Sequence, residues 1–219
     1  IGPPAFLACG IFALGALVWQ TMRLQNDGFW SLATGDWLLA HRPISDRDPF
    51  TFTATDAVWV LNMAHQIAMA VAARTFGLGA VLLLNTAAYV GALLLFFLPY
   101  ARGWLARGAG LALCLLQVLV ERDLLTARSK NFGDLAFAAL FLWSWRLRDG
   151  ARFRWYIPVS IGVVWVNTHP SFVLVAALPM AFWALGRLDD AEDRVPLRPF
   201  LATAVMGMVG TQLNPNTIH

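Results

Sequence analysis

The chain has 219 residues, of which 58% are hydrophobic and 13% are charged, whereas soluble domains usually carry about 25% charged residues. This balance is typical of an integral membrane protein and excludes soluble secreted, nucleic-acid-binding and disordered classes. The net charge of +3 comes from arginines that stand between apolar runs, so we interpret it as a topology signal and expect no nucleic-acid partner.

Apolar runs recur along the chain at lengths near the roughly 20 residues that cross a bilayer. The stretch 155–186 is interrupted at 167–170, where Pro170 disfavours helix in the residue before it, and we predict two short helices there. The fold class is therefore all-α, a polytopic transmembrane helical bundle forming one domain over 1–219. The predicted spans are 3–22, 76–99, 104–120, 131–145, the broken pair 155–168/170–186, and 196–212.

Arginine placement predicts the orientation of this bundle. If every span crosses, one side carries Arg102, Arg107, Arg146, Arg148, Arg152, Arg154, Arg187, Arg194 and Arg198. The positive-inside rule makes that side cytoplasmic, and we predict a multi-pass membrane protein. The long loop 23–75, the segment 121–130, the break at His169 and the end at Asn214 then share the opposite, extracytoplasmic face.

The long loop carries two predicted amphipathic helices, at 28–41 and 58–73, around a strand-like stretch at 45–53. Trp30 and Trp37 are expected to anchor the first helix at the membrane interface. Asp27 has two interpretations that the residues leave open. It caps that helix, or it places a carboxylate at the mouth of a cavity as a general base or cation ligand.

Cationic and polar side chains near the other outward segments extend this hypothesis. Arg128 and Lys130 either stabilise negative charge in such a cavity or reach the interface as snorkelling side chains. His169 either forms a hydrogen bond with a phosphate or hydroxyl group of a ligand or caps the exposed carbonyls of the broken helix. Asp134 lies four residues after Lys130, so an ion pair within one helix is the simpler explanation for its charge.

Metal and thiol chemistry have weaker signals. Cys9 and Cys114 lie in apolar runs, and we predict two small buried side chains. The histidines lack close ligand spacing, so the cofactor is unknown, with a divalent cation left open.

Several segments, in order, resemble the GT-C superfamily of membrane glycosyltransferases. The run 27–39 (DGFWSLATGDWLL) is similar to D-x-W-W-H-L-A-T-G-x-W-I-L, and 48–53 (DPFTFT) to D-P-F-S-F-T. The segment 165–172 (WVNTHPSF) resembles W-x-N-x-H-G-x-F. The dipeptide Ala127-Arg128 resembles the start of A-R-P-Q, and Asn214-Pro215 resembles the start of N-P-Y-G.

The resemblance implies a multi-pass protein of a bacterial inner (cytoplasmic) membrane that transfers a sugar from a polyprenyl-phosphate donor at the periplasmic face. It also implies that Asp27 is the acid of the first outer loop, the catalytic residue. With it we predict donor-phosphate binding by Arg128, Lys130 and His169. The substrate cavity is predicted to include Trp30, Asp48, Asn167 and Asn214.

Departures from the pattern favour an alternative. Ser31 stands where the pattern has His, and Ser129-Lys130 replace P-Q. A further family segment reads W-V-N-H-E-W; Trp59-Val60 match its start, but Asn62-Met63 stand in the region of its N-H-E. Family members are longer, and this chain begins at Ile1, so two interpretations stay open: a piece of a longer polypeptide, or a shortened and degenerate relative. The alternative is a non-catalytic accessory or structural subunit that uses a degenerate scaffold of this type inside a larger membrane complex.

Overall fold

The structure is a computed structural model that describes residues 3–41, 50, 62–187 and 196–214. Within these ranges the chain is helical and forms no β-strand, which confirms the predicted all-α class. Two short 3₁₀ turns cover Arg122–Leu124 and Pro170–Val173. The α-helices are α1 (Pro3–Thr21), α2 (Asn26–Ala40), α3 (Met63–Phe76), α4 (Leu78–Phe97), α5 (Gly103–Glu121), α6 (Lys130–Arg148), α7 (Tyr156–Val166), α8 (Leu174–Gly186) and α9 (Leu197–Thr211).

In the described part of the chain, three helices are long and apolar enough to cross a membrane. They cover Pro4–Thr21, Leu78–Phe97 and Gly103–Leu124, where the first three spans were predicted. The segments Tyr156–Val166 and Pro170–Gly186 are shorter apolar helices, with a break where the prediction put it. The spans predicted at 131–145 and 196–212 fall on α6 and α9, so a crossing at these two helices stays a prediction.

The two helices expected in the long loop both form, but they begin at different residues from those predicted. Helix α2 starts at Asn26 and α3 starts at Met63. Gly77 separates α3 from α4 with φ of +81°, a left-handed conformation that glycine adopts without a steric penalty. Asp48 and the stretch predicted as strand-like lie outside the described residues, apart from Phe50, which lies in a turn.

Two large apolar clusters and a small one around Leu38, between α2 and α3, form the core of the described residues. The first large cluster draws on α1 to α5 and includes Leu14, Met69 and Val118. The second draws on α6 to α9 and includes Trp165 and Phe200. Cys114 is buried, as predicted, but the prediction for Cys9 was wrong, because its side chain is exposed. An apolar run indicates a helix without showing which face packs, and most of α1 faces outward.

A buried polar contact joins α4, which belongs to the first large apolar cluster, to α6, which belongs to the second. Helix α4 packs against α6, and Asn131 Nδ2 donates to Asn85 Oδ1 at 3.1 Å and to the Thr126 carbonyl at 2.9 Å. Both asparagines are at most 5% exposed. Because an unpaired buried amide is costly, these bonds fix the register of α6 against α4.

Helices α7 and α9 touch through their backbones. A Cβ atom on Gly162 would lie 2.2 Å from the Gly207 carbonyl oxygen, and one on Gly210 would lie 2.3 Å from that of Val159. Small residues allow this close approach, as they do in many membrane helix pairs. The contact fixes the end of α9 beside the break that follows α7.

Candidate functional site

A short backbone pairing brings the start of α2 beside the start of α6. The Arg23 N–H donates to the Leu125 carbonyl at 3.1 Å, and the Ala127 N–H donates to the Arg23 carbonyl at 2.8 Å. Gly28 then lies against this segment, since a Cβ atom on it would come within 2.9 Å of the Ala127 oxygen. The first turn of α2 is thereby held next to the segment that carries Arg128.

The start of α3 and the helix break after α7 meet the same region. The Ala64 N–H donates to the Asn167 carbonyl at 3.0 Å. His169 packs on α6, because a Cβ atom on Gly133 would lie 2.8 Å from the His169 Cβ. Four segments that are far apart in sequence therefore converge at one place.

A cavity of about 330 Å³ lies at this convergence, and we call it the polar cavity. Its lining residues are Asp27, Trp30, Ser31, Asn62, Arg128, Ser129, Lys130 and His169. The structure thus places together the predicted loop acid, the three predicted phosphate-binding side chains and Trp30.

Asp27 does not occupy the capping position that was one of its two interpretations. Helix α2 begins one residue earlier, at Asn26, with Gln25 in the N-cap position. Asp27 lies in the first turn, where the helix dipole favours a negative charge. Its side chain is exposed, and among the described residues it forms no ion pair. The carboxylate is therefore available to a molecule in the polar cavity.

Helix N-termini add to the positive potential of this cavity. Asn62 precedes the first turn of α3 and Ser129 precedes that of α6, and neither side chain makes a capping hydrogen bond. The N-terminus of a helix carries a partial positive charge and favours anions. Because Lys130 is paired with Asp134, Arg128 and these two helix N-termini supply the positive potential that favours a ligand with negative charge.

Lys130 forms an ion pair with Asp134, as its spacing four residues along the helix indicated. Its Nζ lies 2.5 Å from Asp134 Oδ2, four residues along α6. The two side chains remain 48% and 36% exposed, so the pair contributes little to stability. Its consequence is positional, because it fixes the ammonium group at the edge of the polar cavity.

His169 is oriented by hydrogen bonds to its first nitrogen. Nδ1 accepts from the Ser171 N–H at 3.1 Å and contacts Ser171 Oγ at 2.8 Å. That hydroxyl in turn accepts from Trp165 Nε1 at 3.0 Å. An accepting Nδ1 leaves the proton of a neutral ring on Nε2. His169 therefore caps an amide of the 3₁₀ turn, rather than a carbonyl, and keeps Nε2–H for another partner.

Burial favours the neutral form of this ring. It lowers the pKa of His169, and Asp134 opposes the change while Lys130 and Arg128 reinforce it. A neutral His169 offers Nε2–H as a hydrogen-bond donor to the polar cavity, while Arg128 and Lys130 supply positive charge there.

A second histidine lies beside this one in the interior. His65 on α3 is 1% exposed, and its ring meets that of Phe132 edge-on with centroids 5.1 Å apart. Burial, with a smaller contribution from His169, lowers the pKa of His65 to about 4. Neither ring nitrogen has a hydrogen-bond partner among the described residues. His65 is therefore an uncharged side chain.

Two residues predicted to line the substrate cavity have another role in the structure. Asn167 Nδ2 donates to the Val163 and Leu213 carbonyls, both at 2.9 Å. Asn214 Nδ2 donates to the Val166 carbonyl at 3.0 Å. These amides hold the end of α9 against the end of α7. Asp48, the third such prediction, lies outside the described residues.

Ser31, Asn62 and Ser129 line the cavity although the sequence did not single them out as site residues. Asn62 and Ser129 did carry a signal, since Asn and Ser are favoured immediately before helices. For Ser31 the signal was its place in the resembling pattern, where His is expected, whereas composition did not show that its face of α2 lines the cavity.

Metal ligands are scarce in this arrangement. Within the described ranges, no three His, Cys, Asp or Glu side chains are placed to hold a metal ion. Among the described residues, the lining of the polar cavity offers one carboxylate against Arg128 and Lys130, whereas divalent cations in proteins prefer several oxygen ligands. The divalent cation left open by the sequence does not fit this donor set.

Comparison with protein-family profiles, with curated proteins and with solved structures finds no match to this chain.

Proposed function

We propose that this chain is a membrane glycosyltransferase component that takes a sugar from a polyprenyl-phosphate donor at the periplasmic face. The observation that carries the proposal is the composition of the polar cavity. One carboxylate, Asp27, stands in it with two cations and a histidine that keeps an Nε2 proton. These are the groups that glycosyl transfer from a phosphate requires, a proton acceptor and charge stabilisation for the leaving group.

In the proposed reaction an acceptor hydroxyl attacks the anomeric carbon of the donor sugar. A new bond forms between that carbon and the acceptor oxygen, while the bond from the carbon to the phosphate oxygen breaks. Asp27 takes the proton of the hydroxyl as general base. The bonding electrons leave on the phosphate oxygen, where negative charge increases.

The cationic and hydrogen-bond-donating groups of the lining stabilise that negative charge. Arg128 offers a planar set of donors suited to phosphate, and Lys130 offers a compact ammonium group. His169 Nε2–H adds a neutral hydrogen bond, and the N-terminus of α6 adds its dipole. All of these groups are in place before reaction, and such preorganisation accounts for much of electrostatic catalysis. No step needs a metal ion.

Binding of a lipid phosphate tests the proposal. The probe is tritiated decaprenyl monophosphate, titrated against the purified full chain in nanodiscs. Arg128→Gln removes one charge from the lining of the polar cavity and should weaken binding about tenfold or more, because hydrogen bonds to charged groups contribute about 1.5–3 kcal/mol.

Arg122→Gln is the matched control. Arg122 is an exposed arginine six residues away that faces Asp123 and is absent from the cavity lining. Its substitution should leave the affinity for decaprenyl monophosphate unchanged. Equal affinity of the wild type, Arg128→Gln and Arg122→Gln for decaprenyl monophosphate would exclude the polar cavity as a phosphate site.

One observation favours the accessory role as a second candidate. Ser31 is 6% exposed in the cavity lining, at the position where the resembling pattern carries His. A scaffold that keeps the cavity and has lost a reactive side chain is suited to binding without turnover. Copurification with stoichiometric membrane partners, together with no transfer by the assembled complex, would favour this candidate.

A further inference from the structure

A second cavity of about 300 Å³ lies between α4, α5 and α6, and we call it the α4–α6 groove. Its deeper lining is apolar and aromatic: Ala92, Leu93, Phe96, Phe97, Phe137 and Ala138. The Phe96 ring stacks on Phe137 with centroids 6.4 Å apart. The groove is therefore suited to a hydrocarbon chain or another apolar body.

The rim of the groove is polar and lies at one end. Glu121 ends α5 and Lys130 begins α6, while Tyr89, Gln117 and Asp134 complete the rim. Tyr89 Oη donates to Glu121 Oε2 at 2.7 Å. An apolar groove with polar groups at one end fits an amphiphile that lies along the helices with its head at Glu121.

The charge of the rim differs from that of the polar cavity. The rim holds two carboxylates and one ammonium group, and that ammonium group is already paired with Asp134. A phosphate would face net negative charge there. Glu121 uses one of its acceptor positions for Tyr89 and, since a carboxylate can accept about four hydrogen bonds, it retains capacity for a head group that donates.

Lys130 lines both cavities. Two occupants of opposite character would therefore meet at this residue, with an anion on the side of Arg128 and a hydrogen-bond donor on the side of Glu121. A single lipid phosphate that filled both cavities would bring its negative charge beside Glu121 and Asp134.

We propose that the α4–α6 groove binds a membrane amphiphile whose head carries an amine or a hydroxyl and whose apolar body lies against Phe96 and Phe137. Its identification as the sugar acceptor rests on the function proposed above, whereas its binding in the groove does not. The acceptor would reach the reaction from within the membrane, beside Lys130.

Photo-crosslinking tests the groove directly. The probes are a diazirine-bearing octadecylamine and the matching octadecyl phosphate, each incorporated with the full chain into nanodiscs, and labelled peptides are read by mass spectrometry. The amine probe should label α4, α5 and α6 around the groove at least five times more strongly than the phosphate probe.

Neighbouring alanines provide a matched pair of variants. Ala138 lines the groove, whereas Ala139 lines a separate cavity beside Leu95 and Trp143. Ala138→Phe should reduce labelling by the amine at least fivefold, and Ala139→Phe should leave it unchanged. Glu121→Gln is a second variant that keeps the groove open, and it should also lower labelling by the amine.

The result that overturns the proposal is labelling that survives both Ala138→Phe and Glu121→Gln, or stronger labelling of the groove by the phosphate probe. Stronger labelling by the phosphate probe would show that the groove holds the hydrocarbon chain of a lipid phosphate. Arg128→Gln separates the two proposals, because it should not affect labelling by the amine. If decaprenyl monophosphate fails to bind while the amine still labels the groove, the groove stands and the function proposed above falls.

Discussion

Gly28 and Ala127 are in such close contact that a Cβ atom on Gly28 would lie 2.9 Å from the Ala127 carbonyl oxygen. Both residues are adjacent in sequence to a residue of the polar cavity. Asp27 precedes Gly28, and Arg128 follows Ala127. The spacing of the backbone at Asp27 from the backbone at Arg128 is therefore set by a contact that leaves no room for an added carbon.

The first prediction concerns this contact. Gly28→Ala should push the first turn of α2 away from residue 127 and weaken binding of decaprenyl monophosphate, at a cost of about 1–3 kcal/mol for the overpacked contact. Gly15→Ala on α1 is the control, because a Cβ atom there meets nothing within 4 Å. Unchanged affinity in Gly28→Ala would show that this contact does not set the site.

A second prediction concerns the asparagine pair between α4 and α6. Asn131→Leu leaves Asn85 Oδ1 and the Thr126 carbonyl without the donor they have now, and should lower the free energy of unfolding by about 1–3 kcal/mol. Thermal melting in detergent measures the loss. The double variant Asn85→Leu/Asn131→Leu should recover part of it, because both polar groups are then absent. A purely additive result would deny the coupling of the two amides.

A third prediction follows from the orientation of His169. Ser171→Ala removes the hydroxyl that joins Trp165 Nε1 to His169 Nδ1, so a buried indole N–H loses its partner. We expect a loss of about 1–3 kcal/mol in stability, with weaker binding of decaprenyl monophosphate. Ser160→Ala on the exposed face of α7 is the control and should behave like the wild type in both measurements.

The fourth prediction is a pH dependence that His65 imposes. Its pKa in the folded protein is about 4, below the ordinary 6.5, so the unfolded chain binds more protons between these values. Stability is complete above about pH 6.5 and falls as the pH is lowered toward 4, by roughly 3 kcal/mol in all. Melting temperatures across this range should show a smaller decrease for His65→Leu. The same slope in both proteins would assign the effect to other groups.

Hydropathy predicted much of the helical framework because long apolar runs signal helices through composition alone. The helix break was also predictable, since Pro170 restricts the residue before it. The limits of α2 and α3 were less accurate, because each helix begins where local backbone hydrogen bonds permit, and the pattern of apolar residues does not specify that point.

The arrangement of side chains was only partly accessible from sequence. Asp27, Arg128 and His169 were singled out by charge and by their expected side of the membrane, and the structure places all three in one cavity. The sequence could not show that Asn167 and Asn214 hold backbone carbonyls, nor that His65 is buried beside His169. Those contacts depend on how helices pack, which the order of residues does not reveal.

Glycosyl transfer by the Asp27→Asn variant measures the central claim most directly. The assay follows radiolabelled sugar leaving a decaprenyl-phosphate donor in the presence of the full chain in its native membranes. Asp36→Asn is the control, because Asp36 lies on the same helix and binds Arg74 outside the polar cavity. We predict that Asp27→Asn abolishes transfer by a folded protein while Asp36→Asn retains it. Transfer by Asp27→Asn at the wild-type rate would contradict the account.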